Sequence, residues 1–137
     1  MLLGATASWV WAAESEEKPF AEARVVLQIS DADPSKQTLV LNVASNLTKH
    51  YGPDQVEVEI VAFGPGLRLM FAENANKGRI SGLSAQGVRF AGCMNTLSKF
   101  TRQLGHEPEL NPTTMRVSAG VVRILELVSE GYILIKP

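Results

Sequence analysis

The sequence predicts an α/β sandwich built around a mainly parallel sheet. Three observations carry this reading. Short β-rich runs alternate with helical segments along the chain. The first run, Ala23–Ser30, is dominated by apolar residues, as expected of a strand buried on both faces. The 137 residues amount to one domain, with no internal repeat and no linker long enough to divide them.

The elements follow in order. Ala23–Ser30 is the first strand and stops at Asp31. Asp33-Pro34 opens a helix, with Asp33 as N-cap and Pro34 at the first helical position. Leu39, Leu41, Val43 and Leu47 recur through it at roughly helical spacing. Tyr51-Gly52-Pro53-Asp54 is a turn. Val56–Phe63 is the second strand, and its alternating first half predicts a face toward water or a partner. Gly64-Pro65-Gly66 breaks it, and Leu67–Glu73 reads as a short helix. Asn74–Gly87 is polar, with a helical turn between Gly78 and Ala85. Val88–Ala91 is a third, short strand.

Cys93–Leu97 opens a helix in which Leu97, Phe100 and Leu104 share a face. Gly105–Thr114 holds Pro108 and Pro112 and reads as a loop. Met115–Val117 is the fourth strand. Ala119–Val128 is a helix whose expected apolar face is Val121, Ile124, Leu125 and Val128, with Gly131 beyond its end. Tyr132–Ile135 is the last strand. The alternating Val56–Ile60 segment and this C-terminal strand are the surfaces expected to meet other subunits.

Composition narrows function without naming it. Hydrophobic residues make up 45% and charged residues 20%, the balance of a globular chain. Thirteen basic and fourteen acidic residues leave a formal net charge of −1, which argues against nucleic-acid binding by bulk charge. A single cysteine excludes an intramolecular disulfide and a thiolate-rich metal site.

Residues 1–12 carry no charge, and Ala13–Lys18 turns sharply polar. The apolar part is shorter than the roughly 20 residues that span a bilayer, so no membrane span is expected. Its length suits a secretory signal peptide cleaved after Ala12, although the usual basic start is missing. Residues 1–19 therefore read as a truncated signal peptide and a short acidic leader, and residues 20–137 as the domain. Trp9 and Trp11 then belong to the leader. This places the protein in the periplasm; without export it is cytoplasmic. The alternative for residues 1–12 is a helix packed on the domain or in an oligomer interface.

In parallel α/β sheets, sites lie beyond the carboxyl ends of strands. Three such ends stand out: Ser30–Asp33, Gly64–Gly66 and Ala91–Asn95. Cys93 in the third is the sharpest candidate. A cysteine at a helix N-terminus faces unpaired N–H groups and the positive end of the helix dipole, which favour the nucleophilic thiolate. The competing reading is an inert, buried small hydrophobe. Gly92 is expected to let the backbone turn and to leave space beside the sulfur, with Asn95 next to it. Asp31 is placed at the edge of the cysteine pocket, while Asp33 is occupied as a cap, so the two form no catalytic pair.

Gly64, Pro65 and Gly66 lack the lysine and Ser/Thr of a phosphate loop, which leaves a tight turn beside the pocket. His50 and His106 read as solvated, and spacing supports no metal site with Cys93. Arg89, Lys99 and Arg102 flank the cysteine as surface charges, one of which could steer an anionic sulfur donor. Asn46-Leu47-Thr48 matches a glycosylation pattern but falls within a helix.

Three stretches resemble the DsrE/DsrF-like family of sulfur-relay proteins. They are Val61–Leu67, the cysteine turn Val88–Leu97, and the C-terminal set Val117–Val122, Glu126-Leu127, Glu130–Tyr132 and Ile135–Pro137. The resemblance covers residues 23–137. It implies a three-layer α/β/α sandwich with a five-stranded parallel sheet, assembled as oligomers, usually trimers or hexamers of related subunits; for this chain a homo-oligomer is expected. It also implies that Cys93 carries sulfane sulfur as a persulfide between donor and acceptor proteins or small sulfur compounds, with no cofactor. The alternative is a non-catalytic oligomeric module that binds a small ligand or peptide at the carboxyl ends of the strands.

Overall fold

The computed structural model describes residues 18–137. Of the expected leader, residues 1–19, residues 1–17 with Trp9 and Trp11 lie outside the described residues, while Lys18 is tied to the domain through its N–H to Glu57. Five strands form one sheet: β1 (Ala23–Ile29), β2 (Val56–Ala62), β3 (Arg89–Cys93), β4 (Thr114–Val117) and β5 (Ile133–Ile135). Their order is β4-β3-β2-β1-β5, and every pairing is parallel. The α-helices are α1 (Pro34–Tyr51), α2 (Lys77–Ala85), α3 (Met94–Leu104) and α4 (Gly120–Ser129), with a 3-10 helix over Gly64–Met70. No helix among the described residues is long and apolar enough to cross a membrane.

Helices cover both faces of the sheet, which gives the three-layer α/β/α sandwich, but the layers are unequal. Val25, Leu27, Ile29, Val58, Ile60 and Phe90 face α1, α2, α3 and the 3-10 helix in the larger core. Val26, Val61 and Ala91 point the other way and meet only α4, through Ile124 and Leu127, and Tyr132. The strict two-residue period of the strands sends these neighbours to opposite faces.

Several elements differ from expectation. In α1 the Asp33 cap forms: its carboxylate accepts the Ser35 N–H at 2.8 Å. The buried face, however, is Gln37, Val40, Leu41, Ala44 and Thr48, while Leu39 is exposed. Leu39, Leu41 and Val43 are spaced by two residues, and a helix cannot bring all three onto one stripe. Gln37 is buried because it has partners: Asn74 Nδ2 donates to its Oε1 at 3.1 Å. Gly64-Pro65-Gly66 does not precede the helix; it opens it. The alternating face of β2 meets neither water nor a partner. Every β2 residue is buried, because β2 is the central strand and its acids are paired with arginines. On α3, Leu97 and Phe100 are buried but Leu104 is exposed. On α4 the sheet-facing residues are Gly120, Ile124 and Leu127; Val121, Leu125 and Val128 are exposed.

Candidate functional site

The carboxyl ends of the three central strands converge. Gly64 adopts a left-handed φ of +56°, open to glycine at no steric cost, and its N–H donates to Thr96 Oγ1 at 2.9 Å. That bond ties the end of β2 to the first turn of α3. Gly66 packs directly on the end of β1, where a Cβ would fall on the Ile29 carbonyl. Gly92 is not a turn residue. It pairs with Ala62 and Arg116 inside the sheet, and a Cβ there would lie 2.9 Å from Thr114 Cγ2 and 3.2 Å from Leu67 Cδ1. Its missing side chain lets the 3-10 helix close on the sheet, rather than opening space beside the sulfur.

Cys93 ends β3 and is the N-cap of α3. The Thr96 N–H donates to its Sγ at 3.5 Å, as the third helical residue does in a cap. The residue is only 4% exposed. Burial pushes the thiol up. Donation from the Thr96 side chain and N–H, and from the Gly120 and Asn95 N–H groups, outweighs burial and holds it below its ordinary value. Gly120 opens α4, so the start of a second helix adds to the lowering of the thiol. Gly120 is also the position where a Cβ would approach Phe63 Cβ to 2.9 Å.

Along the first turns of α3 lies a cavity of about 470 Å³, which Cys93 itself does not line. Phe63, Gly64, Pro65 and Arg68 form one wall. The edge of α3 forms the other, from Asn95 and Thr96 through Lys99 and Phe100 to Gln103. Of the residues expected at the site, Gly64, Pro65 and Asn95 line this cavity. Cys93, Gly66 and Gly92 lie in the buried layer around it. Thr96 belongs to both, since it lines the cavity and donates to Sγ.

Asp31 is absent from the cavity walls. It is exposed and its carboxylate accepts the Asp33 N–H at 3.0 Å, within its own loop. His50 and His106 are exposed, and no cluster of three or more His, Cys, Asp or Glu side chains suited to a metal ion occurs among the described residues.

Thr96 was recoverable from sequence: once Cys93 is an N-cap, capping geometry designates the residue three places on. Gly120 and Arg68 carry no such signal, because only the tertiary fold brings them to the third strand end.

A second polar group lies at the amino ends of the strands, on the α4 side. Glu59 is fully buried and accepts Arg123 Nε and Nη2, each at 2.7 Å, and Arg89 Nε at 2.9 Å. Glu57, 2% exposed, accepts the Tyr132 hydroxyl, Arg24 Nε at 3.2 Å and the Lys18 N–H at 2.9 Å. Arg89 is thus an interior cation rather than a surface charge. Burial pushes Glu57 up, but the bonds from Tyr132 and Lys18 and the charges of Arg89 and Arg24 hold it below the usual carboxylate range. Burial and the bond to Glu57 push Tyr132 up to about 12. Each acid is matched by arginine, which marks a structural network.

A solved structure of a protein of unknown function from Methanobacterium thermoautotrophicum is similar to this chain. The two are 32% identical, with a TM-score of 0.75, over 85% of this chain and all of that one. No family model matches the chain, and no curated protein matches it.

Proposed function

We propose that this chain, which belongs to the same family as the Methanobacterium protein, is a sulfur carrier that holds sulfane sulfur on Cys93. The observation that supports it most is the placement of Sγ as the cap of α3, where it accepts the Thr96 N–H. That donor and the start of the helix stabilise negative sulfur, and thiolate is the form that attacks. The step is an exchange without net oxidation. The Cys93 thiolate attacks the outer sulfur of a donor persulfide, R–S–SH. The donor S–S bond breaks, R–S⁻ leaves, and Cys93 holds –S–SH. An acceptor thiolate reverses the roles. The resemblance of Val88–Leu97 and its companion stretches to the sulfur-relay family supports the same reading.

Assembly as a homo-oligomer, a trimer or hexamer, goes with it and is supported by the exposed apolar residues of α4 and β5. Placement in the periplasm rests on residues 1–12 alone, and the N-terminal sequence of the mature protein tests it.

The second reading, a binding module without transfer, is favoured by the burial of Cys93 and by a formed cavity that Cys93 does not line. Intact mass after incubation with polysulfide separates the two. The carrier gains roughly 32 Da, reversed by reductant and absent in Cys93→Ser. A chain that binds without transfer gains nothing.

A further inference from the structure

We propose that the cavity between the Gly64–Arg68 turn and α3 is the binding site for a small organic thiol or persulfide that carries a carboxylate. This rests on the reading of Cys93 as a sulfur carrier, and names the class of molecule that brings or takes the sulfur. Three observations support it.

The first is charge. The chain as a whole is slightly acidic, at a net −1. Yet the 3-10 helix Gly64–Met70 and helix α3 contain no aspartate or glutamate, while they present Arg68, Lys99 and Arg102. Arg68 and Lys99 line the cavity, and neither has a carboxylate within ion-pair distance among the described residues. A concave site with cations only on its walls concentrates anions.

The second is preorganisation. The Arg68 guanidinium sits over the Phe100 ring, 5.0 Å from its centroid, and 5.9 Å from that of Phe71. The two rings meet edge to face at 5.2 Å. Arg68 is therefore held at the cavity by aromatic faces that leave its N–H groups free for a carboxylate.

The third is the shape of access. A residue only 4% exposed, as Cys93 is, is poorly placed for a protein surface, whereas about 470 Å³ suits a small molecule. Phe63 and Pro65 suit its alkyl stem. Thr96, shared by cavity and Sγ, marks the end toward which its sulfur points.

The test uses the full chain with Cys93→Ser, so that binding is read without sulfur chemistry. The probes are 3-mercaptopropionate and 2-mercaptoethanol, which differ in the carboxylate. Backbone amide shifts are followed by NMR at low ionic strength. The carboxylate probe is expected to shift Gly64, Arg68 and the Asn95–Gln103 amides saturably, and to bind about ten-fold tighter than the neutral one. Added salt weakens it. Arg68→Gln with Lys99→Gln, both surface changes, removes the preference. Equal binding of the two probes, a preference unchanged in the double variant, or shifts away from the cavity would overturn the proposal. Polysulfide loading of the wild-type chain is scored separately. Loading without probe selectivity sinks the ligand class alone; selectivity without loading sinks the carrier.

Discussion

Thr96 links the sulfur to the cavity. Its N–H caps Sγ, its hydroxyl oxygen accepts the Gly64 N–H, and its side chain helps hold the thiol below its ordinary value. Thr96→Val keeps the shape and the backbone donor but removes the hydroxyl. The thiol then moves up toward its ordinary value, and less thiolate is present at neutral pH. Alkylation of Cys93 near pH 7 is expected to slow by about ten-fold, the worth of one hydrogen bond to a charged group. An unchanged rate would mean that the backbone donors suffice. Cys93 itself was legible as a strand-to-helix cysteine. Its depth was not, because burial depends on tertiary packing of elements distant in sequence.

At the scale of elements, β2 shows what periodicity alone cannot tell. Val56-Glu57-Val58-Glu59 has the pattern of a strand with one wet face, yet it runs through the middle of the sheet. The partners that make this possible, Arg24, Arg89, Arg123 and Tyr132, come from four other places in the chain. Glu59→Gln removes the charge and strands two arginines beside a buried amide. It is expected to lower unfolding stability by about 3–5 kcal/mol, measured by urea titration. A loss under about 1 kcal/mol would show that water screens the pair. By contrast, the start of α1 and the glycine turn before the 3-10 helix were legible, because capping and turn chemistry are local.

Across the whole molecule, alternating strands and helices defined the layers, since parallel strands require crossovers. The unequal cover of the two faces was not legible. Helix α4 has enough apolar residues for two faces, and hydrophobicity does not say which is inward. Seven of the ten exposed large hydrophobic residues among those described fall on α4 and β5. Leu125 and Ile133 are the most open of these, at 67% and 65%. β5 is also an edge strand with only apolar side chains, without the charges that usually protect an edge. A homo-oligomer through this face is expected to sediment as a multiple of 14.9 kDa. Leu125→Glu with Ile133→Glu is expected to return it to one subunit, because the charges have no partner once buried. A wild-type monomer, or an assembly indifferent to the pair, would place the interface elsewhere or remove it.

Everything functional rests on a thiolate at Cys93 that small molecules can reach, so the most direct measurement is the rate of Cys93 alkylation in the folded protein as a function of pH. Reaction without unfolding is expected, with a midpoint below the roughly 8.5 of a free cysteine and a rate that falls as pH drops through that midpoint and protonates the sulfur. A thiol that reacts only once the protein is denatured, or whose midpoint lies at or above that of free cysteine, would contradict it and leave Cys93 a packed core residue.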